Sequence, residues 1–205
     1  KNTFLLGSLS ATLGTVMALV ISYLVIRKAV RGHRILGFLA TAPIAIPGIV
    51  LGVGLFLAYT RPWVSVGGID IPPIVLYGTL WILLIAYVTI ELPAAYQQLS
   101  SSFQAVHVEL EEASRILGAT RLTSLRQITA PLLVSGIIAT WCFIFVAVVR
   151  ELSAAAILFT SDTKVLSVLI FDLKESGDLG AIAVLGLMML LVTTVVVAVA
   201  NLIPG

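Results

Sequence analysis

QITAPLLVSGIIATWCFIFVAVV, residues 127–149, runs for 23 residues without a charged side chain. A helix needs roughly 20 mainly apolar residues to cross about 30 Å of hydrocarbon. It also satisfies its own backbone hydrogen bonds, which lipid cannot do for it. Barrel strands would alternate polar and apolar positions over about 10 residues, and this run does not alternate. Outward from it, further charge-free runs occupy residues 2–26, 35–60, 71–90 and 179–205. Together they predict an all-α polytopic membrane protein, one transmembrane domain over residues 1–205 with five helices, Phe4–Ile26, Ile35–Tyr59, Ile74–Ile90, Leu132–Val149 and Leu179–Ile203.

Composition agrees. Of 205 residues, 60% are apolar and only 11% charged, with 12 basic against 10 acidic, and mean hydropathy is +1.13. A soluble domain of this length must turn much of its surface to water. A soluble enzyme, a DNA-binding domain and a disordered tail are therefore excluded. The net charge of +2, spread over several loops, offers no nucleic-acid surface.

The loops set an orientation. The first carries Arg27, Lys28, Arg31 and Arg34 with no acid, which predicts a cytoplasmic position. Alternation then places the second loop (Arg61 to Pro72) outside, the third (Pro93 to Pro131) inside and the fourth (Arg150 to Asp178) outside. The N-terminus falls outside and the C-terminus inside. Lys1 follows neither a basic n-region nor a cleavage site, so the expectation is a piece of a longer chain, with spans ahead of it.

Several chemistries find no residues to carry them. His33 and His107 lie far apart without HExxH, and neither GxSxG nor GxxxxGK[ST] occurs. No acid is expected in the middle of any span, whereas a proton-coupled carrier usually needs an intramembrane carboxylate or histidine. No metal-ligating cluster is expected, and Cys142 reads as a small core residue. A passive channel, a membrane scaffold and a transporter driven by a partner remain open.

The third loop is patterned. In Val108-Glu-Leu-Glu-Glu-Ala-Ser-Arg-Ile-Leu117, Leu110, Ala113 and Leu117 form a helical stripe, with Glu111, Glu112 and Arg115 pointing elsewhere. Gly118 follows where a left-handed residue ends helices. Thr120 can cap a second short helix with Leu122, Leu125 and Ile128 on one face, and Pro131 can open the fourth span. The elbow over residues 108–131 suits force transmission, because a short capped helix with an apolar stripe docks readily into a groove. An amphipathic helix lying on lipid fits less well, since Glu109, Glu111 and Glu112 would meet anionic headgroups.

Glu112-Ala113-Ser114, three residues, Gly118, nine residues, then Ile128-Thr-Ala-Pro131 resembles the EAA loop of binding-protein-dependent ABC importer permeases, in which EAA, three residues, G, nine residues and I-x-L-P recur. Ser114 and Ala130 depart from that pattern. Pro43–Gly52, Arg150–Phe159 and Phe171–Ala181 look like the ferric-iron branch, whose members are often double-length. The resemblance covers nearly the whole chain. It implies a type I importer permease core, with the elbow as coupling helix and Glu111, Glu112, Ala113, Gly118, Ile128 and Pro131 as its ATPase-coupling residues.

The implied partners are two cytoplasmic ABC ATPase subunits, a second permease half (fused or separate), a periplasmic solute-binding protein and the inner-membrane bilayer. ATP and Mg2+ would sit on the ATPase, and this chain would carry no catalytic residue, metal or cofactor. The implied cargo is ferric iron, with 2-aminoethylphosphonate, polyamines, sulfate or thiamine as alternatives.

For a translocation path the candidates are Pro43, Pro47, Glu91, Arg150 and Glu151. The prolines either kink a pore-lining helix or are tolerated kinks. Gly48 and Gly52 read as a close-packing pair. Glu91 and Pro93 are expected to end the third span on the cytoplasmic side, Glu91 as a gate or as a solvated interfacial carboxylate, and Arg150 and Glu151 to line the outer mouth or pair at the interface. Val165–Phe171 is too short to cross and reads as interfacial or re-entrant. Trp63, Trp81 and Trp141 are expected as interfacial anchors or packing residues.

Overall fold

The computed structural model describes residues 1–60, 64–66, 69–71 and 75–202. Trp63, the start of the third expected span at Ile74 and the end of the fifth at Ile203 lie outside the described residues. Four helices are long and apolar enough to cross a membrane: Asn2–Ile26, Leu80–Ala105, Arg121–Arg150 and Leu179–Ala200. A bent pair, His33–Ala45 with Gly48–Thr60, makes a fifth if it counts as one span.

The core is a bundle of α1 (Asn2–Ile26), α4 (Leu80–Ala105) and α7 (Ala130–Arg150). Lipid supplies little hydrophobic drive between helices, so close approach through small residues matters. Along α1 the buried positions include Gly7, Ala11, Gly14, Ala18 and Ser22. A Cβ at Gly7 would stand 3.0 Å from Phe145, and one at Gly14 3.1 Å from Ile144. Leu6, Ile82, Leu83, Tyr87, Leu99 and Ile144 fill the centre, each at most 1% exposed. Trp141 is a packing residue: its ring stacks on Phe145 at 5.4 Å and its Nε1 donates to Thr12 Oγ1 at 3.1 Å. Trp81, by contrast, is largely exposed at the start of α4.

The expected span Ile35–Tyr59 is instead α2 (His33–Thr41) and α3 (Gly48–Thr60), bent by 102° across a 3-10 turn at Ala42–Ala45. Neither Pro43 nor Pro47 can donate a backbone hydrogen bond. A residue before proline is also driven out of the helical region, and Ile46 is extended, with φ −105 and ψ 116. The bend is therefore a break and not a kink. Beyond it, the chain forms a small hairpin, β1 (Val64–Val66) antiparallel to β2 (Ile69–Ile71).

The largest departure concerns α4. It continues through Glu91 and Pro93 to Ala105, so both lie inside the helix and Glu91 near its middle. Reading spans as charge-free runs forces every charge to a span end, and that assumption failed here. A mid-span carboxylate is tolerated where it faces other charges instead of lipid.

The expected outer loop after α7 also folds into the core. Ala154, Ala155 and Leu158 are fully buried, around the single turn α8 (Ala155–Leu158). Val165–Phe171 belongs to α9 (Leu166–Ser176), which is too short to cross. Its first N–H, at Leu166, donates to Thr3 Oγ1 at 2.8 Å. Asp178 caps α10 (Leu179–Asn201) by accepting from Ala181 N at 3.0 Å; Met189, Val192 and Val196 pack against the core, and most of the helix is exposed.

Gly48 and Gly52 pack α3 against the α8 turn, as the close-packing reading expected. A Cβ at Gly52 would lie 3.2 Å from Ala154 Cα and 3.3 Å from its carbonyl oxygen. Backbone cannot rotate aside, so Gly52→Val should destabilise by about 1–3 kcal/mol. Thermal unfolding in detergent checks this: an unchanged midpoint would disprove the close approach.

Candidate functional site

The elbow begins where α4 ends. Its first helix, α5 (Val108–Ile116), places Glu109 and Glu111 in its first turn and Arg115 in its last, both favourable to the helix dipole. The helix ends in a Schellman motif: Gly118 N donates to Arg115 O at 3.0 Å and Ala119 N to Ser114 O at 3.1 Å. Gly118 stands at φ +93 with nothing near a would-be Cβ, the left-handed conformation glycine adopts without strain. Thr120 then caps α6 (Arg121–Ser124), its Oγ1 accepting from Thr123 N at 3.2 Å.

Helix α5 is inside-out. It buries no residue, and its apolar side faces outward, with Leu110 46%, Ile116 85% and Leu117 88% exposed. Its inward side is polar. Glu111 Oε1 lies 2.9 Å from an Arg27 guanidinium nitrogen, accepts from Arg27 Nε at 3.0 Å and accepts from Thr129 Oγ1 at 2.8 Å. Arg27 also donates to Val106 O at 3.1 Å. One carboxylate thus ties the elbow to the end of α1 and to the approach to α7. Ser114, the departure from the EAA alanine, accepts from Ser124 Oγ at 3.0 Å and closes the angle between α5 and α6.

Between α6 and α7 the expected face of Leu122, Leu125 and Ile128 does not form. Residues Leu125–Thr129 make a π-helical turn in which Ala130 N bonds Leu125 O. Pro131, in the first turn of α7, has no N–H for the carbonyl of Gln127, and the turn widens there. Register shifts accordingly: Ser124 and Thr129 are buried, Ile128 is half-buried, Leu122 is exposed and Pro131 is exposed. Glu112 and Ala113 stand on the exposed side of α5. Glu111 and Ile128 therefore face the body of the protein, while Glu112, Ala113 and Gly118 form its outer edge.

The path candidates converge elsewhere. Glu151 follows α7 and caps the α8 turn, accepting from Ala154 N at 3.1 Å and Ala155 N at 3.3 Å. A Cβ at Gly48, next to Pro47, would lie 3.5 Å from Glu151 Oε1 and 3.5 Å from Ile90 Cδ1. Ile90, the neighbour of Glu91 on α4, shares the Gly48 contact with Glu151. The start of α3, the middle of α4 and the end of α7 thus meet at Gly48, with Glu91 and Glu151 half-buried and Arg150 exposed. Pro43 sits apart, in the 3-10 turn. Sequence reading missed the continuation of this polar strip along α4: Ala94, Gln97, Gln98 and Ser101, with Phe143 of α7, line an open groove of about 360 Å³. Its signal was the helical spacing of Glu91, Gln98 and Ser101.

Comparison with known proteins bears on this arrangement. The family model described as binding-protein-dependent transport system inner membrane component matches residues 10–204. A ferric transport system permease protein of Actinobacillus pleuropneumoniae is 28% identical over 96% of this chain and 27% of its own length. A putative ferric transport system permease protein of Haemophilus influenzae is 30% identical over 80% of this chain and 24% of its own. A putative 2-aminoethylphosphonate transport system permease protein of Salmonella typhimurium is 25% identical, over 80% and 58%. The chain therefore spans about a quarter of those ferric relatives. In fold it is similar to a bacterial alginate ABC transporter in complex with an alginate pentasaccharide-bound periplasmic protein (TM-score 0.79, 20% identity, 98% of this chain and 75% of that one). It is likewise similar to the inward-facing methionine ABC transporter (TM-score 0.77, 15% identity, 98% and 90%).

Proposed function

Since this chain belongs to the binding-protein-dependent transport system inner membrane components, we propose that it is the permease part of an ATP-driven importer of the bacterial inner membrane. The single observation that carries this is the inside-out elbow. A helix that turns a half-buried Glu111 inward and exposes Ile116 and Leu117 has its apolar edge set for a protein groove. Two ATPase subunits on the cytoplasmic side, carrying ATP and Mg2+, are the partners of that edge, and a second permease half completes the path. The N-terminus of the chain lies outside and its C-terminus inside, as the basic first loop requires.

Nucleotide-driven closure of the ATPases moves the elbows, and the α1–Glu111–α7 ties carry the motion into the spans. A loaded periplasmic binding protein favours one of the two resulting conformations and ATP biases the same equilibrium. Solute passes along the α4 strip from Glu91 through Gln98 to Ser101, beside Phe143. Ferric iron is the cargo we assign, because ferric permeases recur among the relatives. Selectivity for it then resides in the binding protein, since no three His, Cys, Asp or Glu side chains converge among the described residues.

Glu112→Lys and Gly118→Val test the elbow in proteoliposomes. Reversing the exposed charge opposes docking, and a β-branched residue at φ +93 strains the bend. Each should cut binding-protein-stimulated ATP hydrolysis at least about tenfold, equivalent to 1.4 kcal/mol of coupling. Unchanged stimulation in both variants would overturn the coupling assignment. Cargo is decided separately, by uptake of ferric iron against 2-aminoethylphosphonate: transport of the phosphonate alone would replace iron.

A further inference from the structure

Between the end of α1 and the elbow lies a cleft of about 480 Å³ that shares only Glu112 with the docking edge. Tyr23, Ile26, Arg27 and Lys28 line one side, and Arg115 and Arg121 stand opposite. Glu111 and Glu112 also reach it, so four cations face two carboxylates and leave two positive charges in excess. Glu111 is already engaged by Arg27 and Thr129. Among the described residues, Lys28, Arg115 and Arg121 take part in no ion pair, and all three are exposed.

Lys28 is held there at a cost. The end of α1 is a Schellman motif, with Lys28 N donating to Val25 O at 3.2 Å and Ala29 N to Leu24 O at 3.0 Å. Its left-handed position, normally glycine, is occupied by Lys28 at φ 49, the one non-glycine positive φ among the described residues. The next helix in the chain carries an apolar edge. Helix α2 packs beside the last turns of α1, where a Cβ at Gly37 would lie 3.5 Å from Val25 Cγ1, and its Ile35 and Phe38 are 67% and 69% exposed.

We propose that this cleft binds the phosphate headgroup of an anionic phospholipid, with the acyl chains along the Ile35 and Phe38 edge of α2. The proposal rests on the importer reading insofar as the elbow end of α1 lies at the cytoplasmic surface. A basic pocket between spanning helices at that level is chemically matched to a lipid phosphate, and Tyr23 supplies the amphipathic ring favoured at the interface. A free phosphate would use the cations and leave the apolar edge bare.

Native mass spectrometry of the purified full chain tests it, with phosphatidylglycerol, phosphatidylcholine and inorganic phosphate as probes. The wild type should retain phosphatidylglycerol over phosphatidylcholine, and millimolar phosphate should not displace it. The variant Lys28→Gln with Arg115→Gln and Arg121→Gln should retain it on the order of a hundredfold more weakly. Because these side chains are exposed, folding is not at stake; Lys28→Gly adds a second check, relaxing the backbone and raising the melting midpoint while weakening retention. Equal phosphatidylglycerol retention in both variants, or displacement by phosphate alone, would overturn the lipid assignment. The readout needs neither ATPase nor cargo, so its failure leaves the importer reading standing, and loss of coupling in the elbow variants leaves lipid retention measurable.

Discussion

Glu111→Ala is expected to destabilise the protein by about 3 kcal/mol and to abolish ATP-coupled transport. The Arg27 and Glu111 side chains are only 9% and 18% exposed. Removing one member of a mostly buried pair leaves an uncompensated charge, which typically costs about 3–5 kcal/mol; the lower end applies because Arg27 retains its bond to Val106 O. Thr129 loses its acceptor at the same time. The elbow is thereby detached from both α1 and α7, although Glu112, Ile116 and Leu117 remain available at the outer edge. Glu111 is therefore a positioning residue. Three comparisons separate this from simple unfolding. Glu111→Gln keeps an oxygen for Thr129 and should lose less. Arg27→Ala with Glu111→Ala removes the orphaned charge and should recover part of the melting midpoint without restoring coupling. If Glu111→Ala melts like the wild type and stimulates ATP hydrolysis normally, the tie carries neither stability nor motion.

That tie also shows what could be read from the chain and what could not. The caps of the elbow were legible, because a left-handed Gly118 and an N-capping Thr120 are local choices set by a few backbone angles. The break in the second span was foreshadowed by Pro43 and Pro47, but its 102° angle was not, since its depth depends on α3 folding onto the α8 turn. Arg27 and Glu111 meet across 84 residues, and no local period encodes that. The same holds for Glu91. Its carboxylate looks terminal when span ends are read from charge, whereas Glu151 and Ile90, beside Glu91, come together at Gly48 only after α3, α4 and the end of α7 pack. Spans and elbow thus followed from composition and local geometry, and the sites followed from tertiary contact.

Gly136→Ala is the strongest test of that packing, because two effects oppose each other there. In a helix interior alanine is favoured over glycine by about 1 kcal/mol, so propensity alone raises the melting midpoint. But a Cβ at Gly136 would collide with Ser102 Oγ and lie 2.9 Å from Ser102 Cβ. The hydroxyl can turn away, at the loss of its bond to Gln98 O; the Cβ cannot. Separating α4 from α7 opens the core along both helices, and in lipid no hydrophobic drive closes it again. Overpacking of this kind costs about 1–3 kcal/mol, so the clash outweighs propensity and the midpoint should fall. Adding Ser102→Gly removes the opposing Cβ. The double variant should regain most of the loss, less about 1 kcal/mol for a new glycine in α4. A midpoint that rises in Gly136→Ala, or a double variant no better than the single, would mean that α4 and α7 do not approach this closely, and the polar strip between them would have to be redrawn.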